Sequence, residues 1–254
     1  FTGTDANNNT LIGKDAGTAI TTGDSNTALG TDALETATTS AENTAIGRAA
    51  LQLTTTGGYN TAVGSGAMYA NTEGQKNVAV GRDALIASTT GDHNVAVGFH
   101  ALNDSTTANG NTAIGYQSLE KNTSGADNVA LGWNSLDANT TGSNNTALGY
   151  NSLSASTTAS DNAAVGKNSL AANTTGTLNV AVGGNALDAN TTANENTSIG
   201  YNSLTANTTG EYNTACGAGA LAANTTADNN TAVGRHALLS NTIGTLNTAI
   251  GREA

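Results

Sequence analysis

The sequence predicts an all-β chain, a parallel β-solenoid of about fifteen rungs, and three columns of residues predict it. An Asn opens every seventeenth residue from Asn9 to Asn247. A Gly stands four residues after each, from Gly13 to Gly251, and a Thr keeps one place in the turn from Thr21 to Thr242. Self-similarity at a fixed period, without insertion, is the pattern of a solenoid in which each repeat is one rung touching only its neighbours. The expected object is a long rigid rod with rungs ~4.8 Å apart, a single repeat domain over residues 1–254.

Within a rung the pattern reads N-[TV]-A-[IVL]-G-x-x-[AS]-L-x-x-[NS]-T-T-[GA]-x-x, as in residues 128–144 and 145–161. The first strand is expected over N-[TV]-A-[IVL], ended by a Gly that turns a corner at positive φ or lets two backbones approach. A second strand is expected through [AS]-L, and N-T-T-G, rich in turn formers, is expected as the longer loop. Helix competes poorly because Thr, Asn and Gly fill most places. The first strand is apolar on both faces, Ala on one and Thr, Val, Ile or Leu on the other. A narrow roll buries one face only, so the second face is expected to meet another protomer.

Composition excludes other classes. With 31 Gly, no Pro, 4% aromatic and 11% charged residues, the chain has too few large apolar groups for a globular core, yet it is too regular for disorder. A net charge of −11 argues against sequence-independent nucleic-acid binding, which needs clustered Lys and Arg, and fits a solvated extracellular surface. No membrane insertion is expected, because no run of about 18 apolar residues occurs. Residues 1–8 fit the tail of a preceding repeat and residues 251–254 stop inside one, so the expectation is a segment of a longer fibre.

Cys216 holds the aliphatic place of its strand and reads as a small buried hydrophobe. His93, His100 and His236 fall at three different repeat places, no Ser-His-Asp or Glu-His set recurs, and a smooth solenoid offers no pocket, so no enzyme, cofactor or metal is expected. Asp24, Asp92, Asp127, Asp161 and Asp228 lack the Gly-rich calcium-roll pattern and read as solvated loop charge. The Asn column is expected to hydrogen-bond along the axis in a partly buried turn. The place after the Gly carries Phe99, Tyr116, Trp133 and Tyr150 on four consecutive rungs, with Tyr201 further along. These rings form a candidate surface-binding ladder for glycan or protein, against the simpler reading of rings that pack on one another and stiffen the stack.

Repeats such as Asn43-Thr44-Ala45-Ile46-Gly47 followed by Ala50, or Asn94-Val95-Ala96-Val97-Gly98 followed by Ala101, resemble the YadA-like head repeats of trimeric autotransporter adhesins and related phage tail-fibre repeats. The family's repeat is shorter, and the additional residues here are expected in the N-T-T-G loop. The resemblance implies a left-handed β-roll, a homotrimer, and projection from a cell or virion toward a host surface, matrix protein or glycan. It supplies no ligand-binding motif.

The functional expectation is therefore a structural, adhesive fibre segment. Two alternatives stand beside it. One is an ice-binding solenoid, through the unbroken Thr column that includes Thr89, Thr106, Thr123 and Thr140. The other is a purely structural extracellular filament.

Overall fold

A computed structural model describes residues 6–254. Among these, fifteen three-residue strands open successive rungs, from β1 (Thr10–Ile12) to β15 (Thr248–Ile250), and no helix occurs. The strands pair in parallel and in register, Thr44 beside Thr61, Ala45 beside Ala62 and Ile46 beside Val63, so one coil equals one 17-residue repeat. The fold is the expected parallel β-solenoid. Its contacts gather into two compact units, the first ending at Asp127 and the second beginning at Asn128. That division falls between rungs. The first unit holds β1 to β7 (Thr112–Ile114), and the second holds β8 (Val129–Leu131) to β15.

The strand faces divide by size. The central Ala, from Ala28 to Ala232, points into the lumen with no exposure, while its two neighbours point out and stay partly exposed. Only a small side chain suits the inner face, because the coil returns across a lumen already filled by the Leu column, Leu34 to Leu221, with Met68 in one rung. The first rung is the exception that shows the constraint. Leu11 stands there in the Ala place and Gly17 in the Leu place, and a Cβ on Gly17 would sit 2.8 Å from both methyls of Leu11. The volume has been supplied from the opposite wall.

The second strand expected through [AS]-L is not formed. The chain curls there instead, because Asp32 (φ 59°) and Leu34 (φ 52°) both enter the left-handed region. Ala33 N–H donates to Gly30 O at 3.4 Å and Ala37 N–H to Leu34 O at 3.3 Å, the closures of two successive turns. Rungs still pair through this segment: Asp32 N–H donates to Lys14 O at 2.9 Å and Leu34 N–H to Ala50 O at 3.1 Å. A non-glycine residue in this region costs of order 1 kcal/mol or more. Full burial of a Leu side chain contributes about 1.5–3 kcal/mol and offsets it.

The Gly corner meets both of its expected reasons. Gly47 has φ 132°, and a Cβ there would lie 2.4 Å from Gly64 O of the next rung. The backbones are closer than any side chain allows.

Asn residues tie each rung to its neighbours. Asn77 donates its backbone N–H (3.0 Å) and its Nδ2 (3.2 Å) to Asn60 Oδ1, and Nδ2 donates again to Gly91 O at 2.8 Å. The same pattern recurs at Asn94 and Asn145. This is the axial amide ladder read from the sequence, but from Asn26 to Asn230 the column is buried outright, and only Asn9 and Asn247 at its ends stay partly exposed. A second buried ladder was hidden in the N-T-T-G loop. Asn190 Nδ2 donates to Asn173 Oδ1 at 2.9 Å and to Ala193 O at 3.1 Å. Asn224 repeats this with Asn207 Oδ1 at 2.8 Å and Ala227 O at 3.0 Å. Ser88, Ser105 and Ser156 hold this place in other rungs, and their buried hydroxyls find no partner, nor does Asn71 Oδ1. A Ser hydroxyl does not reach the neighbouring rung in these places, whereas Thr54 Oγ1 is reached by Asn71 Nδ2 at 3.3 Å.

Two stability predictions follow from this interior. Ser88→Asn should raise the thermal midpoint, by the equivalent of about 1 kcal/mol, because the new amide reaches both Asn71 Oδ1 and Gly91 O. Ala147→Glu should abolish cooperative melting, since it places an unpaired carboxylate in the lumen, a cost of several kcal/mol. Differential scanning calorimetry of the two variants beside the parent chain measures both.

Candidate functional site

The place after each Gly corner points outward, and its backbone is clamped to the next rung. Phe99 O accepts from Gln117 N–H at 2.9 Å in the first unit, and Trp133 O from Asn151 N–H at 3.1 Å in the second. Phe99 is half-buried, whereas Tyr116, Trp133 and Tyr150 are 46%, 55% and 43% exposed. The four ladder residues named from sequence thus lie outside the core. Their ring geometries differ between the units.

In the first unit the rings are packed face to face. Phe99 and Tyr116 stack at 5.3 Å between centroids, 10° from parallel. His100 stacks on Phe99 at 3.9 Å and 11°, and the Arg82 guanidinium lies 5.6 Å from the Phe99 centroid. A polar network holds this stack. His100 Nε2 lies 3.6 Å from Asp83 Oδ2, and His100 Nδ1 lies 3.3 Å from Glu120 Oε1. Arg82 Nε donates to Asp83 Oδ2 at 3.1 Å, and Gln117 Nε2 donates to Glu120 Oε1 at 3.0 Å. Phe99 therefore presents little of its faces to solvent. The packing-and-stiffening reading describes this half of the ladder.

In the second unit Trp133 and Tyr150 meet edge to face, with centroids 5.7 Å apart and planes at 86°. Tyr201 is 62% exposed and leans over Gly184, where an added Cβ would touch ring carbons at 3.5 and 3.8 Å. Beside these rings runs a row the sequence reading did not single out: Asn134, Asn151, Asn168, Asn185 and Asn202, two residues after each Gly corner. Asn168 Nδ2 donates to Asn185 Oδ1 at 3.2 Å, and Asn185 Nδ2 to Asn202 Oδ1 at 3.1 Å. Five Asn at one place in five successive rungs was the signal available for them.

Other expectations resolve individually. Cys216 is exposed, not buried, because its place in the strand faces outward while the neighbouring Ala215 takes the lumen. Several loop acids are more than solvated charge: Asp24, Asp92 and Asp228 each accept the backbone N–H of the residue one rung earlier, at 2.6–2.8 Å. The invariant Thr column is built the same way. Thr89 Oγ1 donates to Thr106 O at 3.1 Å and Thr174 Oγ1 to Thr191 O at 3.0 Å, rung after rung. Among the described residues no group of three or more His, Cys, Asp or Glu is arranged to hold a metal ion, and no helix is long and apolar enough to cross a membrane.

Compared with known proteins, the chain matches no family model, no curated protein and no solved structure.

One titratable group in the first unit is displaced from its ordinary range. Burial raises the Asp104 carboxyl above its usual 3.8, Glu120 adds to that, and Lys121 and His100 oppose it. A raised carboxyl binds its proton more tightly in the folded chain than in the unfolded one. Its penalty on stability is fully present above the folded value, and it fades as pH falls through that value toward 3.8. Asp104→Asn should therefore raise the melting midpoint modestly at neutral pH, with the gain disappearing below the ordinary carboxylate range. Thermal melts of both chains across the acid range check this.

Proposed function

We propose that this chain is a segment of an adhesive surface fibre, a non-enzymatic structural protein that works by presenting repeated surfaces outside a cell or on a virion. The observation that carries the reading is the division between inside and outside. The buried Asn side chains are bonded rung to rung, while the outward strand face sets a column of part-exposed Ile, Val and Leu beside a column of Thr and Val. Leu131 is 49% and Ile199 41% exposed on it. Apolar faces of this kind mark association sites. The resemblance to YadA-like head repeats adds that the occupant of the face is the same face of two further copies, a homotrimer. Three copies multiply every surface contact and so give weak sites avidity.

The ice-binding alternative loses its main support, because the Thr column hydroxyls donate to backbone carbonyls instead of facing water with both their donor and acceptor capacity. A thermal-hysteresis assay separates it from the adhesive reading. A purely structural filament shares the assembly but not the adhesion.

The assembly is tested by light scattering at micromolar concentration, where a trimeric mass is expected and a monomeric one rejects it. Leu131→Glu with Val182→Glu, both on the outward face, should give monomers that retain the circular dichroism of the parent. Cys216 provides a second readout, since its thiol should react slowly in the assembled protein and quickly in those monomers. Adhesion is tested with beads coated with the full chain. Changing Phe99, Tyr116, Trp133 and Tyr150 together to Ser should release the beads from host cells without altering the mass; beads of the parent chain that never attach reject the adhesive role.

A further inference from the structure

We propose that the second unit carries a glycan-binding strip in which Tyr150 and Tyr201 offer ring faces and the Asn row beside them offers hydrogen bonds to the hydroxyls of a neutral polysaccharide. The proposal rests on the adhesive reading for its setting and assigns that reading a ligand class and a location.

The two columns are locked side by side. Asn168 N–H donates to Tyr150 O at 3.0 Å, Asn185 N–H to Lys167 O at 2.9 Å and Asn202 N–H to Gly184 O at 3.1 Å. Each Asn stands at φ 52–56°. That conformation favours Asn but does not require it, because rungs of the first unit hold Asp15, Asp32, Ala49, Asp83, His100 and Gln117 at this place with similar φ. Backbone geometry thus leaves the choice between charge and amide open, and the second unit takes the amide in every rung from Asn134 to Asn202. An amide has two donor hydrogens and two acceptor lone pairs. The axial bonds from Asn168 to Asn185 and from Asn185 to Asn202 engage one donor and one acceptor per junction, and the half-buried amides keep capacity for a ligand.

Gly184 has no backbone reason to be Gly. Its φ lies outside the left-handed region, and a Cβ on it would meet only the Tyr201 ring, at ordinary contact distance. What its missing side chain does is give that ring a shelf to lie on. A pyranose offers an apolar face of C–H bonds and a rim of hydroxyls. A rigid, amphipathic Tyr beside a planar amide matches both at small entropic cost. The strip itself carries one charge, Lys167, on a chain of net charge −11, which disfavours polyanions. Repetition at the rung spacing suits a polymer over a single sugar, because successive weak contacts add by effective concentration.

The test is native affinity electrophoresis of the full chain through gels containing a soluble β-glucan, a mannan or a xyloglucan, with alginate as the polyanion. Emission of Trp133, the one tryptophan, is followed in parallel titrations. At least one neutral polymer should retard the parent chain while alginate does not. Tyr201→Ala should weaken retardation about tenfold, the loss of one ring contact. Gly184→Asp, which adds a carboxylate under the ring without backbone strain, should weaken it as much, and it keeps the test decisive if Tyr201→Ala melts early. Phe99→Ser and Tyr116→Ser should leave retardation unchanged. The proposal is overturned if none of the neutral polymers retards the parent, if alginate retards it equally, or if both strip variants bind as the parent does. Cell-bead adhesion that survives both variants sinks the strip and leaves the adhesive reading standing. Polymer retardation lost in both variants, on a chain whose beads never attach to cells, supports the strip and removes the adhesive setting.

Discussion

Everything in this solenoid depends on one constraint: the buried Asn that opens one rung finds its partners in the next. Asn77 Oδ1 is satisfied only by the backbone and amide of Asn94, and Asn94 Nδ2 only by that oxygen and by Ala108 O. A single rung would bury an amide with nothing to bond, at a cost of about 1–3 kcal/mol. Stacked, the same amide stabilises two neighbours. Such a chain gains its stability from interfaces between repeats, as a one-dimensional array does. One inserted residue would displace every ladder at once, the Asn pair, the Thr hydroxyls and the Gly corners together. The unbroken period of 17 is the sequence-level trace of that coupling.

What was legible followed from this constraint. Asn, Gly and Thr recur because no other side chain can replace them without breaking a cross-rung contact, so the fold class, the period, the amide ladder and the close approach at Gly47 were all visible in the sequence. The Leu segment was not. Its propensity argues for an extended or helical residue, and nothing in the letters says that Leu34, Leu51 and Leu85 take φ near 50°. Only the stack over-determines that conformation, since the curl is what turns each Leu fully into the lumen. The side of the strand was likewise ambiguous. Alternation puts Ala215 and Cys216 on opposite faces, but which face is inside depends on how little room the lumen has, and that set Cys216 outside.

The interior also shows how much departure it tolerates. Leu11 and Gly17 exchange bulk across the first rung, keeping volume while altering both columns. Ser198 replaces the lumen Ala and is fully buried, and it persists because its hydroxyl donates to Ser203 O at 2.8 Å within the same rung. Neither change disturbs a cross-rung bond. Ser88 and Ser105 do disturb one, since they interrupt the second Asn ladder and leave Asn71 Oδ1 unmatched. Substitution within a rung is absorbed locally; loss of a bridge between rungs leaves orphans in both.

Because the inside is held constant by its ladders, specificity has only the outside to occupy. The place two residues after the Gly corner illustrates this: the backbone conformation is the same in both units, yet the first lays down Asp32, Asp83 and His100 and the second lays down Asn151, Asn168 and Asn185. The neighbouring aromatic place diverges in parallel, from rings closed against Arg82 and His100 to rings set edge to face or lying over a glycine. A scaffold that fixes backbone position to this degree turns each outward column into an independent variable. Ring faces that are covered stiffen, and the ring faces beside the Asn row are the ones proposed to recognise a ligand. One rung pattern can therefore carry a structural surface along one unit and a binding surface along the other without any change in how the rungs are held together.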